Sequence, residues 1–398
     1  MNLRLLTAGE SHGPALTSIL DGIPAGLNLD AGMIDKELGR RQRGFGAGPR
    51  MKIEHDHAKI LGGVLNGLTT GAPIAIQILN ADHASWKGKA VKQMTTPRPG
   101  HADLTGAMKY GYTDLRPALE RASARETASR VAAGAICKHF LAQFGILIGG
   151  YVVSIGSVTA SLGKMTYEER FLRAETSQVR CPDGSASEKM RAQIAEIIKV
   201  KDTLGGIVEV AALNVPAGLG SFAQWDRRLD ARLGSAVLSI QAIKGVEIGD
   251  AFDNAHLSGT QAHDAIKLAV ELKGKNRRSR LVRPTNRAGG IEGGISNGEP
   301  IILRAAMKPI ATTLTPLTTV DLASAKEAPT KYERSDFCPV PRAVPVVEAM
   351  LAFVLADALL EKIGGDSIAE MQPRFQHLRQ ARLEDLPMDN IEHEWWSQ

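Results

Sequence analysis

Apolar and polar positions along the chain change period from one segment to the next, and the changes outline the elements. Residues 2–7 and 16–20 alternate or run apolar, and Pro24-Ala25-Gly26 turns the chain after them, which predicts a strand pair. Ala31 to Arg43 reads as a helix with Asp30 in position to cap it. Lys59 to Leu65 and Pro73 to Leu79 read as strands around Asn66-Gly67. Ala122 to Phe144 predicts the strongest helix: it is rich in Ala and carries Val131, Ile136 and Phe140. Small residues on several of its faces suit a tightly packed central helix. Residues 151–157 and 205–213 read as strands. Leu229 to Ile240, Asp264 to Leu272 and Val346 to Ile363 read as helices. Residues 161–203 are more polar, with a loop at Cys181-Pro182-Asp183-Gly184.

Two stretches echo each other. "SILDGIPAGLNL" (18–29) resembles "VAALNVPAGLGS" (210–221), and "LGGVLNGLTTGAPIAI" (61–76) resembles "EGGISNGEPIIL" (292–303). If the echo is a true repeat, it implies an α+β architecture: two related antiparallel sheet layers around central helices. No linker composition interrupts residues 1–398, so a single domain is expected.

Composition narrows the function class. The chain has 398 residues, 43% hydrophobic and 23% charged, enough for a substantial core. No run of about 18 uncharged apolar residues predicts a membrane span. Arg4, Glu10 and His12 interrupt the first twenty residues, so no secretory leader is expected. Three scattered cysteines (Cys137, Cys181, Cys338) suit a reducing cytoplasm and no zinc site. Formal net charge is +5. Basic residues cluster at Arg40, Arg41, Arg43, Arg50 and Lys52, and again from Lys273 to Arg287. Aromatic residues are only 5% of the chain, and Phe45 alone lies near these clusters. Nucleic acid would want interleaved aromatics, so a small phosphorylated or carboxylated ligand fits better.

Several short stretches carry candidate chemistry. "GESHG" (9–13) fits the G-x-S-x-G of a hydrolase elbow, but it follows the first strand, before any parallel sheet exists. Ser11 as an acyl nucleophile is therefore disfavoured. The flanking glycines suit a loop whose backbone approaches a ligand, and His12 can exchange a proton near neutral pH. "PRPGHADLT" (97–105) holds His101 in a similar setting. "EHDHAK" (54–59) reads as exposed surface rather than a metal site. "LERASARETASR" (119–130) crowds Glu120, Arg121, Ser123, Arg125 and Glu126 at the start of a helix. That end could receive an anion, or could be closed by a Ser123–Glu126 capping box. "MKPIATTLTP" (307–316) joins a lysine to hydroxyls without being a P-loop. "YERSDF" (332–337) places Arg334 and Asp336 close together ahead of a helix.

In this order and spacing the stretches, together with "NRAGGI" and "GGISNGEP", resemble the chorismate synthases from residue 3 to about residue 360. The resemblance implies a β-α-β sandwich, a homotetramer, and conversion of 5-enolpyruvylshikimate 3-phosphate to chorismate and phosphate. That reaction is a 1,4-anti elimination that needs reduced FMN without net redox change. It implies catalytic roles for His12, which would protonate the departing phosphate, for His101 beside the flavin, and for Asp336 as a proton relay. It places Arg121, Ala122, Ser123, Gln241, Ala242, Gly293, Lys308, Pro309, Ile310, Ala311, Thr312 and Arg334 at the flavin. Ser11, Arg41, Arg50 and Arg125 fall at the substrate, with Ser11 an orienting hydroxyl. NADPH as the reductant of the flavin is left open. Ala47, in Gly44-Phe45-Gly46-Ala47-Gly48, stands where the family has an arginine, and Arg43 or Arg50 could compensate. Phe337 stands where a smaller residue is expected.

Overall fold

A computed structural model describes residues 3–48, 55–273, 276–331, 336–380 and 382–395. Two antiparallel sheets dominate. The first has the spatial order Arg4–Ala8, Ala15–Asp21, Ile74–Leu79, Ala58–Gly62. The second runs Ile243–Ile248, Ile301–Met307, Gly206–Leu213, Leu147–Ile155, Val158–Thr159. Period-two alternation sets the inner face of the first sheet: Leu16, Leu20, Ile74, Ile76 and Ile78 are buried. Ile19, on the opposite face, is exposed.

Two long helices meet at the centre. Thr127–Ala142 packs on strands Ala15–Asp21 and Ile74–Leu79 of the first sheet and on helix Ala31–Gln42. Val340–Ile363 packs on Thr127–Ala142 and on strands Leu147–Ile155 and Gly206–Leu213 of the second sheet. The helices cross where Gly134 meets Ala349. A Cβ at position 134 would lie 2.2 Å from that of Ala349 and 2.5 Å from its Cα. The alanine-rich composition therefore serves close approach of two backbones. Val340–Ile363 is apolar and long enough to cross a membrane, unlike the sequence expectation. Here 94% of its most apolar window is buried inside the protein.

Most predicted elements form, with informative exceptions. The helix expected over Ala122 to Phe144 starts only at Thr127. Arg116–Arg121 is a separate short helix, and Ser123, with ψ of 141°, breaks the chain between them. The helix expected over Asp264 to Leu272 is wrong: Lys267–Lys273 is a strand paired with Asn276–Val282. Ile266, Leu268, Val270 and Leu272 recur every second residue, which is strand rather than helix spacing. The polar stretch 161–203 contains helices Tyr167–Thr176 and Gly184–Lys199. Thr166 and Glu169 form a capping box on the first, and the Asp183 side chain caps the second.

Candidate active site

The GESHG loop is built from outside itself. Asn80, at the end of strand Ile74–Leu79, donates its amide to the Glu10 carbonyl (3.0 Å) and the Gly13 carbonyl (2.8 Å). The Ser11 amide donates to the Glu120 carbonyl at 3.3 Å. Gly9 is required where it stands. Its φ is +107°, and a Cβ there would lie 2.4 Å from the Ala15 carbonyl oxygen.

His12 is held at both its backbone and its ring. Its amide donates to Glu120 Oε2 (2.8 Å), and Nδ1 lies 2.7 Å from Glu120 Oε1. Burial raises the Glu120 carboxyl, but the bonds from His12 outweigh it and hold the group below its ordinary value. An ionised carboxylate only accepts, so Nδ1 carries a proton and Nε2 is the nitrogen left for exchange. Nε2 faces Asp82, with Oδ2 3.9 Å away. The Trp86 ring covers the imidazole at a centroid distance of 4.5 Å, and its indole N–H donates to Asp82 at 3.3 Å.

His101 has a similar partner supplied from its own loop. Nδ1 lies 2.5 Å from Asp103 Oδ1, while Arg98 donates Nε to Asp103 Oδ2 at 2.8 Å. Burial pushes the Asp103 carboxyl up, yet His101 and Arg98 together hold it well below the usual carboxylate range. Because Nδ1–H donates to Asp103, the Arg98 nitrogen 3.0 Å away cannot also donate to Nδ1. Arg98 also donates to Thr312 Oγ1 (3.1 Å), and Lys308 Nζ donates to the Gly100 carbonyl (2.6 Å). The PRPGHAD loop and the 308–312 segment thus lock together.

A chain of bonds joins the two histidine loops. Ser123 Oγ donates to Ser11 Oγ at 3.2 Å, and Arg121 holds the Thr7 carbonyl at 2.7 Å. Ala122 closes the Arg116–Arg121 helix. Glu126 accepts from Thr7 (2.8 Å) and from the Gln241 amide (3.2 Å). Ala242, at φ +67°, turns its carbonyl to the Lys308 amide at 3.0 Å. The Ile310 carbonyl accepts from Thr203 (3.0 Å). Ser123 caps only the Arg125 amide, and Glu126 looks elsewhere, so the capping-box alternative does not form.

The arginines are deeply engaged. Asp56, expected at the surface, is buried at 4% exposure between two of them. Arg41 reaches Oδ2 at 3.3 Å and Arg125 reaches Oδ1 at 2.5 Å. Arg125 also donates to Asn80 Oδ1 (2.8 Å), and Arg41 to Thr127 Oγ1 (2.9 Å). Burial and the neighbouring Arg342 push the Arg41 guanidinium down to about 9, against the pull of Asp56. Asp336 accepts from the Gly48 amide (2.8 Å) and pairs with Arg342. Arg342 in turn donates to the Arg41 carbonyl at 3.0 Å, which ties Asp336 to this cluster. Arg50 and Arg334 lie outside the described residues.

Gly293 is the one described candidate set apart. It turns the hairpin Ile291–Glu292/Ile295–Ser296. That hairpin packs on Gly220, Arg228 and Leu229, at the far end of helix Leu229–Leu238 from Gln241. Ten residues of helix separate them by roughly 15 Å. Sequence reading missed Asn80, Asp82, Trp86 and Arg98. Of these, only Arg98 lay inside a stretch singled out for its chemistry.

The comparisons point to one family. A family model for chorismate synthase matches residues 3–360. A chorismate synthase from Aquifex aeolicus is 52% identical over 394 residues, covering 94% of this chain and 96% of its own. One from Trichlorobacter lovleyi is 49% identical, with 93% and 97% covered. A crystal structure of chorismate synthase superposes with a TM-score of 0.76 at 46% identity, covering 94% of this chain and 97% of the other. The chain belongs to the chorismate synthase family.

Proposed function

We propose that this chain removes phosphate from 5-enolpyruvylshikimate 3-phosphate by 1,4-anti elimination, giving chorismate, with reduced FMN and no net redox change. One observation carries the mechanism. Glu120 accepts a hydrogen bond from His12 Nδ1–H, so the proton His12 can give to a ligand is on Nε2. In this reading Nε2–H protonates the phosphate oxygen as the C–O bond breaks. Asp336, steadied by Gly48 and Arg342, relays the proton lost from the ring.

The residues present fit a flavin. Gln241 Oε1 is buried and finds no partner among the described residues. A flavin ring edge carries an N–H donor beside carbonyl acceptors, which suits an unpaired acceptor. Arg121, Ala122, Ser123, Gln241, Ala242, Lys308 to Thr312 and Arg334 would hold it. When bound, reduced flavin would supply electron density for breaking the C–O bond. His101 would sit beside it, oriented by Asp103 at Nδ1, with an Arg98 nitrogen 3.4 Å from its Nε2.

Arg41 and Arg125 share the single carboxylate of Asp56, which leaves net positive charge for a ligand with two carboxylates and a phosphate. Ser11 supports the loop through its contact with Ser123. The same reading makes residues 1–398 one domain, a β-α-β sandwich of two related halves, active as a cytoplasmic homotetramer. NADPH is its possible flavin reductant.

The test is anaerobic phosphate release and chorismate absorbance with chemically reduced FMN, against oxidised FMN. Turnover with reduced flavin alone is expected. Turnover without flavin, or none with it, overturns the reading.

A further inference from the structure

Arg116 lies over the Trp86 ring that covers His12. Its Nε and Nη1 are buried, and neither finds a hydrogen-bond partner among the described residues. Buried guanidinium N–H groups without an acceptor are costly, and each asks for an explanation. Several other described side chains also bury an unpartnered polar atom, Gln241 and Arg180 among them. Of the cationic ones, only Arg116 lies against His12's own surroundings. It is four residues before Glu120 in helix Arg116–Arg121, so both side chains share one face. Glu120 holds His12 Nδ1. The Arg116 guanidinium lies 5.7 Å from the Trp86 ring centroid, and that same ring covers His12.

The charges around this point are mixed. Glu120 and Asp82 are acidic, Lys89 lies over Trp86 at 5.6 Å, and Arg116 contributes to lowering Glu120. Glu120 attracts Arg116 electrostatically without accepting a hydrogen bond from these two nitrogens. The guanidinium therefore keeps two uncommitted donors of the kind that suit a planar or tetrahedral oxyanion.

We propose that Arg116 is an anion-binding residue of the substrate pocket, donating Nε–H and Nη1–H to a carboxylate or phosphate oxygen of the ligand that His12 protonates. The inference rests on the elimination reading above. It adds a contact separate from the Asp56-paired arginines, which each spend part of their donors on protein acceptors.

The test compares wild type with Arg116→Gln and Arg116→Lys. Substrate KM in Arg116→Gln should rise about tenfold or more, with kcat within about threefold, as expected for a lost charge-assisted bond. Arg116→Lys should recover part of the loss. Binding of FMN and of riboflavin, followed by fluorescence, should be unchanged in both. Unchanged KM in a folded Arg116→Gln protein overturns the proposal and leaves Arg116 as packing for Trp86. So does weakened binding of FMN but not riboflavin, which would assign the donors to the flavin phosphate. If wild type shows no turnover, the elimination reading fails on its own. The anion site is then read by thermal shift with inorganic phosphate, which should protect wild type and not Arg116→Gln. Equal protection of both overturns it.

Discussion

The two histidine loops use one device in two settings. In each, a carboxylate accepts a hydrogen bond from Nδ1–H; Nε2 of His12 then faces Asp82, while that of His101 lies 3.4 Å from an Arg98 nitrogen. At His101 the carboxylate is two residues away, fully buried, and clamped by Arg98 from the same loop. At His12 it is Glu120, 108 residues away, with Trp86 and Asp82 arriving from a third segment. A locally built site keeps its geometry as long as its loop is docked. The long-range site exists only when three segments meet, so its orientation answers to tertiary packing. The proposed elimination gives His101 the supporting role and His12 the proton transfer.

Under the proposed elimination, breaking the long-range site at His12 should have the largest effect. His12→Ala should lower kcat roughly 10²–10⁴-fold, the usual worth of a positioned general acid, with FMN affinity retained. Steady-state phosphate release and flavin fluorescence check this together. Next comes the local site. Asp103→Asn leaves Arg98 as a buried, underpaired charge and should cost about 3–5 kcal/mol in denaturant unfolding. The pH dependence sharpens the point. The folded carboxyl lies well below the unfolded value of about 3.9, so its stabilisation is complete above that value and fades as pH falls below it. The stability gap between wild type and Asp103→Asn should narrow below about pH 4.

Glu120→Gln should have a smaller effect on rate, roughly ten- to a hundredfold on kcat, because the imidazole survives but its tautomer is no longer fixed. Nitrogen chemical shifts of His12 should show Nδ1–H in wild type and a mixed population in the variant. The smallest effect is expected from Trp86→Phe. It keeps an aromatic face on His12 and loses the bond to Asp82, about 0.5–1.5 kcal/mol of stability, with kcat within about threefold. A Trp86→Phe protein as impaired as His12→Ala would show that the loop's position, and not the imidazole, limits the reaction.

The same contrast explains what could be read in the sequence. His101, Gly100 and Asp103 form one stretch, so their alliance is written in adjacent letters. Ser11, Ser123 and Glu120 were legible as residue types but not as a contact, because their meeting depends on how the first sheet packs on the Thr127–Ala142 helix. Asp56 looked like surface because "EHDHAK" is polar. Its burial follows from Arg41 and Arg125, each remote in the chain. Alternation is a local signal, and it marks Lys267–Lys273 as a strand, although the apolar content of that stretch suggests a helix. Asn80 and Trp86 carry no pattern of their own. They matter through what they touch, and only the fold supplies that.

The most direct test of the account is anaerobic phosphate release by His12→Ala and His101→Ala beside wild type, each saturated with reduced FMN as verified by fluorescence. His12→Ala should bind flavin like wild type and release phosphate at least about a hundredfold more slowly. That expectation is contradicted if His12→Ala, with flavin bound, turns over at the wild-type rate.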